Sequence, residues 1–226
     1  MITSYGIIVY TILDGKKYFL IGKRPDSLEF LDMFNVRCPI EKVEMYVKMC
    51  TDYERWKLWT YRNDFEKIYL DSFCPHRNYD EIKKRWDKIK HIVIKSLKEG
   101  GPYKKSRSMY ILPKGRKKQG EIPEQAALRE FEEETRIPIN KIEKADNNVH
   151  LDHFVGSDDK SYKTVYFVYK ADKAWMPQKI KTISPIKGRE FRISFEVETL
   201  LWITAEQADD YFDSGLSKII KTLGSQ

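Results

Sequence analysis

The chain has 226 residues, 41% of them hydrophobic, and a formal net charge of +7. This is enough to bury a full core, as one domain with a large insertion or as two small ones. No apolar run reaches the ~20 residues that a membrane-spanning helix needs, and polar residues break the N-terminus too early for a signal peptide, so a soluble cytoplasmic protein without membrane contact is expected.

In chain order, Ser4 to Leu13 and Lys17 to Gly22 are rich in β-branched and aromatic residues. Asp14-Gly15 between them is a turn pair that favours a hairpin. From about Leu31 to Glu99 the character becomes helical: Val43 to Lys48, Tyr53 to Tyr61, Phe65 to Leu70 and Tyr79 to Leu97 space apolar residues at helical intervals among many charges. Trp56, Trp59 and Tyr61 lie close to Lys57 and Arg62, a mixture that can grip single-stranded RNA but that reads first as helix packing. Cys38, Cys50 and Cys74 are odd in number and widely spaced, which fits free thiols in a reducing compartment, and Cys74-Pro75-His76 lacks a second ligand pair for zinc.

Gly100-Gly101-Pro102 stops the last helix of this block. Ser108 to Leu112 reads as a strand leading into Pro113-Lys114-Gly115. After it come a helix from about Pro123 to Thr135, strands at His150 to Val155, Lys163 to Tyr169 and Glu196 to Ile203, and a helix over Ala205 to Leu223. The positive charge is concentrated. Lys83 to Lys118 holds fourteen basic residues against Asp87 and Glu99, a net +12. Such a block draws a polyanion by counterion release, RNA or a polyphosphate, and Lys83, Lys84, Arg85, Lys88, Lys104 and Lys105 are its RNA-binding candidates.

The helix from Pro123 carries Glu130, Glu133 and Glu134 within one turn, so that their carboxylates converge while Ala126, Ala127 and Phe131 pin the opposite side to a sheet. Three like charges repel one another and invite divalent cations. Mg²⁺ and Mn²⁺ prefer oxygen ligands, and metal bridging two phosphates neutralises the charge that develops when phosphorus is attacked. Arg129 is placed to orient one carboxylate through a bidentate contact, and Glu121 to fix the preceding loop.

Written as Gly-x5-Glu-x7-Arg-Glu-apolar-x-Glu-Glu-x-Gly-apolar, the signature of the Nudix hydrolases is matched by Gly115, Glu121, Arg129, Glu130, Phe131, Glu133, Glu134 and Ile137. The segment resembles a Nudix box with one departure, Arg136 in place of the second glycine. There the family leaves its helix in a left-handed conformation; an Arg costs ~1 kcal/mol if that backbone is kept, or the exit differs in shape. The resemblance implies an α+β fold, a Nudix α/β/α sandwich formed by residues 1–30 and 106–226, with an all-helical insertion over 31–105. It also implies pyrophosphate hydrolysis with Mg²⁺ or Mn²⁺. Glu196, before the apolar strand that ends in Trp202, falls where Nudix proteins often carry a further metal ligand or base, and Glu198 is its alternative.

Beyond the box, Pro113-Lys114-Gly115 resembles the approach to the box in mRNA-decapping and some dinucleoside-polyphosphate Nudix enzymes, which would point Lys114 at the phosphate chain. The helical block between hairpin and box resembles the decapping enzymes of large cytoplasmic DNA viruses, of asfarvirus and poxvirus type. That likeness implies capped RNA as partner in a host cytoplasm, with release of 7-methyl-GDP. It implies cap contacts from Asp159 and Tyr166, with Phe30 standing in for a missing aromatic near Leu28. The alternatives are a hydrolase of diphosphoinositol polyphosphates or dinucleoside polyphosphates, and an inactive RNA-binding module of the same fold. The sequence gives no reading of oligomeric state.

Overall fold

The structure, a computed structural model, describes residues 1–73, 78–100, 109–155, 160–177, 179–181, 189 and 191–226. It divides into two compact units: a sheet unit of Met1–Arg24, Tyr110–Ile180 and Arg192–Gln226, and a helical unit of Pro25–Met109 with Lys181–Phe191. The helical unit therefore takes in a late segment beyond the expected 31–105. No helix among the described residues is long and apolar enough to cross a membrane.

The sheet unit opens with β1 (Ile2–Leu13) and β2 (Lys16–Lys23), paired antiparallel through Asp14 (φ 50°) and Gly15 (φ 75°). Two consecutive left-handed residues give the turn whose twist matches a hairpin. The other elements of this unit are β3 (Tyr110–Ile111), β4 (Lys114–Gly115), α6 (Pro123–Thr135), β5 (Ile142–Val155), β6 (Ser161–Ala171), β9 (Thr199–Thr204), α7 (Ala208–Tyr211) and α8 (Ser214–Gly224). Two short strands, β7 (Ile180–Lys181) and β8 (Phe191–Arg192), lie where the chain passes between the units.

One mixed sheet runs β3-β2-β1-β6-β5, with β4 added to β1 and β9 to β2. β1 and β6 are parallel, and the other pairs are antiparallel. Alternation along the strands divides the core. Ile7, Val9 and Leu20 pack with Ala127 and Phe131 of α6 on one face, while Ile8, Phe19 and Ile21 pack with Ala208 of α7 and Ile220 and Leu223 of α8 on the other. This is the expected α/β/α arrangement. The expected C-terminal helix is two helices, interrupted at Phe212-Asp213.

The helical unit contains α1 (Leu28–Met33), α2 (Val43–Met49), α3 (Asp52–Thr60), α4 (Phe65–Ser72) and α5 (Tyr79–Glu99), packed around Phe34, Leu58, Ile68, Trp86 and Val93. Helix α3 begins on a reciprocal cap, in which Glu54 N donates to Thr51 Oγ1 (3.2 Å) and Thr51 N to the Glu54 carboxylate (2.7 Å). Gly100, at φ 67°, ends α5 as expected. Within the unit Lys57, fully buried, donates to Asp26 (2.6 Å), Asp71 (2.9 Å) and Ser72 Oγ (2.6 Å). Arg189 closes this network from the other side, 3.3 Å from Asp71 and donating to Pro25 O at 2.8 Å.

Two expectations are corrected here. Phe30 is fully buried in α1, under the Lys57 ammonium at 4.4 Å, so its ring offers no face to a cap. Trp56 and Trp59, read as packing residues, are 46% and 40% exposed, and the Arg62 guanidinium lies over the Trp59 ring.

Candidate active site

Pro123 begins α6 with a backbone angle already suited to a helix, and Gln125 accepts from Ile122 N at 3.1 Å. Ala126, Ala127 and Phe131 are buried, which turns Arg129, Glu130 and Glu133 outward. Arg129 is the hub. Its Nε donates to Glu121 Oε1 (2.6 Å) and its Nη2 to Glu121 Oε2 (3.2 Å) and Arg116 O (3.0 Å), while Nη1 reaches Glu130 (2.7 Å) and Glu133 (3.1 Å). One guanidinium thus ties the loop before the helix to two helix carboxylates. Glu121 also accepts from Lys118 N at 2.8 Å, and with Arg129 this holds its carboxyl down at about 2.

Gly115 has a steric purpose. A Cβ there would collide with the Glu130 carboxylate, so the glycine is what lets this side chain lie against β4. At the other end of α6, Arg136 adopts the left-handed conformation (φ 59°, ψ 17°), and its N–H reaches Glu132 O at 2.9 Å. The backbone of the helix exit is kept despite the missing glycine. Thr135 assists, accepting from Ile137 N (3.2 Å) and donating to Phe131 O (2.6 Å).

Glu134 is buried at 6% exposure. Burial, then the nearby Glu196 and Glu130 carboxylates, push it up to about 8 against the opposing Arg24 and Lys114 cations. Burial and Arg24 lower Lys114, while Glu134, Asp152 and Glu196 raise it. These mutual influences bring Glu130, Glu134, Glu196, Lys114, Arg24 and Asp152 into one electrostatic neighbourhood. Glu196 is exposed and lies in a bend three residues before β9, so the strand expected from Glu196 begins only at Thr199. Glu198 is instead paired with Lys23 at 3.2 Å.

The donors suit a hard divalent ion. Glu134 Oε2 is buried without a hydrogen-bond partner among the described residues, and its carboxyl feels the charges of Glu196 and Glu130. No three acidic, His or Cys side chains among the described residues enclose an ion by themselves. That openness is compatible with Mg²⁺, which keeps several waters and is commonly held by one or two carboxylates together with substrate phosphates. Glu130 and Glu134 would hold it, with Glu196 and the more exposed Glu133 alongside.

Tyr166, expected to hold the cap, is fully buried among Ile8, Leu112 and Phe212, and its ring packs against Gly6, its register partner on β1. It has no face for a base. Asp159 lies outside the described residues, as do Lys104, Lys105, Cys74 and His76. Of the remaining RNA candidates, Lys83 pairs with Asp87 (2.6 Å), and Arg85 is 4% exposed and donates to Met33 O (3.0 Å), a structural contact. Lys84 and Lys88 are exposed.

Two aromatics were not singled out by the sequence. Phe154 on β5 and Tyr162 on β6 are cross-strand partners whose rings stack at 5.2 Å and 7°. Phe154 is 41% exposed, and the Lys114 ammonium lies 5.8 Å from its ring.

A family model described as NUDIX domain matches residues 92–223. The chain belongs to the Nudix family. Members of this family generally use divalent metals such as Mg²⁺ or Mn²⁺. No functionally curated protein matches the sequence. A crystal structure of a C. elegans Ap4A hydrolase binary complex superposes with a TM-score of 0.51 at 14% identity, covering 100% of this chain and 96% of that one. Another of C. elegans Ap4A hydrolase gives 0.48 at 13% identity, covering 100% and 97%. The M. smegmatis Nudix hydrolase RenU gives 0.42 at 12%, covering 98% and 83%. Likenesses at these identities speak to the Nudix fold alone.

Proposed function

We propose that this Nudix protein is a metal-dependent hydrolase of the pyrophosphate bridge in 5′-capped RNA, releasing 7-methyl-GDP and a 5′-monophosphate strand. One observation carries the nucleotide part of this reading: the exposed Phe154 ring, stacked on Tyr162, lies beside Lys114 and supplies an aromatic face next to a cation suited to the phosphate chain. A methylated, cationic purine stacks well on such a face. The exposed Lys84 and Lys88, within the basic block, favour a long polyanion over a small one.

A bound Mg²⁺ or Mn²⁺ would supply charge neutralisation at the phosphates. The chain's own residues do the rest. Glu130 and Glu134 provide the oxygen donors, and Arg129 fixes Glu130 and Glu133 in position. Lys114 binds a phosphate oxygen, and one of Glu133, Glu134 and Glu196 accepts the proton of the attacking water.

A second reading is hydrolysis of dinucleoside polyphosphates, favoured by the full-length likeness in fold to the C. elegans Ap4A hydrolase. The test compares kcat/KM for cap-labelled RNA, diadenosine tetraphosphate and a diphosphoinositol polyphosphate, each with Mg²⁺ or Mn²⁺. Capped RNA is expected to lead, and Phe154→Ala to raise its KM about tenfold, as loss of one base–aromatic stack does. Rapid turnover of the inositol substrate with none of capped RNA would overturn the proposal, and a clear lead for the dinucleotide would establish the second reading.

A further inference from the structure

Strand β5 ends the sheet and pairs only with β6 among the described residues, so its other edge is open. From Val149 to Val155 its ladder with β6 runs without a register shift. That stretch, Val-His-Leu-Asp-His-Phe-Val, holds no lysine, no proline and no bulge, the devices that keep an open edge from pairing with another chain.

The two faces of this stretch differ. Asp152 lies against Gly215 of α8, whereas Val149, Leu151 and Val155, on the opposite face by alternation, are 47%, 47% and 69% exposed. Their cross-strand neighbours Val165 and Phe167 on β6 are only half-buried, so apolar surface spans two strands and runs out to the open edge.

The stretch is also complementary to itself. With two copies antiparallel and Leu151 on the two-fold axis, His150 of each copy faces Asp152 of the other, Val149 faces His153, and Asn148 faces Phe154. An axis at Asp152 would set like charges opposite each other, and an axis at His150 would lose both His–Asp pairs. Charge therefore selects the register centred on Leu151.

We propose that β5 is the interface of a homodimer, in which a second copy of this chain adds its own β5 antiparallel to the open edge with Leu151 on the two-fold axis. Such a contact is isologous and closes at two copies, so neither β5 edge is left to a third. Asn148 of one copy then stands beside the Phe154 ring of the other, and each candidate base platform borders on the neighbouring copy.

The test oxidises the full-length wild type, Leu151→Cys and Val155→Cys side by side and identifies cross-linked peptides by mass spectrometry, the native thiols being common to all three. Facing residues of an antiparallel pair have Cα atoms ~4.5–5.5 Å apart, within reach of a disulfide. Position 151 is expected to link to itself. Val155 is the more exposed site, yet it faces Asn147, which puts its two copies ~27 Å apart along the strands, so Val155→Cys should not self-link. Sedimentation velocity of the wild type should show a concentration-dependent dimer. Leu151→Lys, with thermal unfolding as the control for folding, places two ammonium groups on the axis and should weaken association about tenfold or more. A wild type that is monomeric at every concentration would overturn the proposal and leave the edge to a strand of another protein. Undiminished association of the folded Leu151→Lys variant, or self-linking of Val155→Cys as fast as that of Leu151→Cys, would equally overturn it. No turnover is read, so the result is independent of the proposed reaction.

Discussion

The Glu130 carboxylate occupies the space into which a Cβ on Gly115 would project. The first glycine of the box is thus a steric condition for placing the Glu130 carboxylate against β4. Gly115→Ala would force Glu130 away from β4 and break its contact with Arg129. A fall in kcat of about a hundredfold is expected, the scale of a misplaced catalytic group, with a cooperative unfolding transition retained. Steady-state kinetics and thermal unfolding of the same sample check this, and near-normal kcat in Gly115→Ala would show that Glu130 does not act from that position.

Arg136 carries the left-handed conformation that a glycine adopts without a steric penalty. Relief of ~1–2 kcal/mol, partly offset by the greater freedom of glycine in the unfolded chain, leaves Arg136→Gly more stable by about 0.5–1 kcal/mol. A rise in Tm of ~1–4 °C follows for a chain of this size. Turnover should not change, since the backbone path is already that of the glycine; differential scanning calorimetry and an activity assay test both halves.

Glu121 titrates near 2 rather than at the ordinary 4.5, chiefly through its bond from Arg129. The folded pKa is depressed, so the associated stability is present above the unfolded value and is lost as pH falls from there through about 2. In Arg129→Ala the midpoint, followed by carbon NMR of the Glu121 side chain, is expected to return towards 4.5. A midpoint that stayed near 2 would transfer the effect to the Lys118 N–H.

Lys57 is sealed between Asp26 and Asp71 in the helical unit. Lys57→Met removes one cation from a buried network and leaves Arg189 as the remaining cation beside Asp26 and Asp71, a loss of about 3–5 kcal/mol. Urea unfolding followed by tryptophan fluorescence should show it. A shift below ~1 kcal/mol would mean that Arg189 alone satisfies both acids.

How far the sequence disclosed this molecule depended on how local each cause was. The hairpin, helices α2 to α5 and the carboxylate helix follow from turn chemistry and short-range spacing, and the structure contains all of them. The first half of β5 did not show, because Glu143, Lys144, Asp146, Asn147 and Asn148 have no apolar alternation; pairing with β6 extends the strand through a register shift between Lys144 and Val149. Lys57, between Trp56 and Leu58, reads as surface charge because Asp26, Asp71 and Arg189 are far from it in sequence. The burial of Tyr166 likewise depends on Gly6 lying opposite it in a parallel pair. Phe154 was legible as a strand residue, but its value lies in a partner across the ladder and a lysine from another element.

The late arrival of Arg189 also bears on synthesis. A ribosome that has delivered residues 25–109 has not yet delivered the side chain that reaches Asp71 and Pro25 O. The nascent helical unit therefore waits for some eighty more residues, made at ~5–20 per second, before its last cation is in place. For the same reason residues 25–109 are not a self-sufficient cassette: grafted between the strands of another protein, they would carry Asp26 and Asp71 without Arg189.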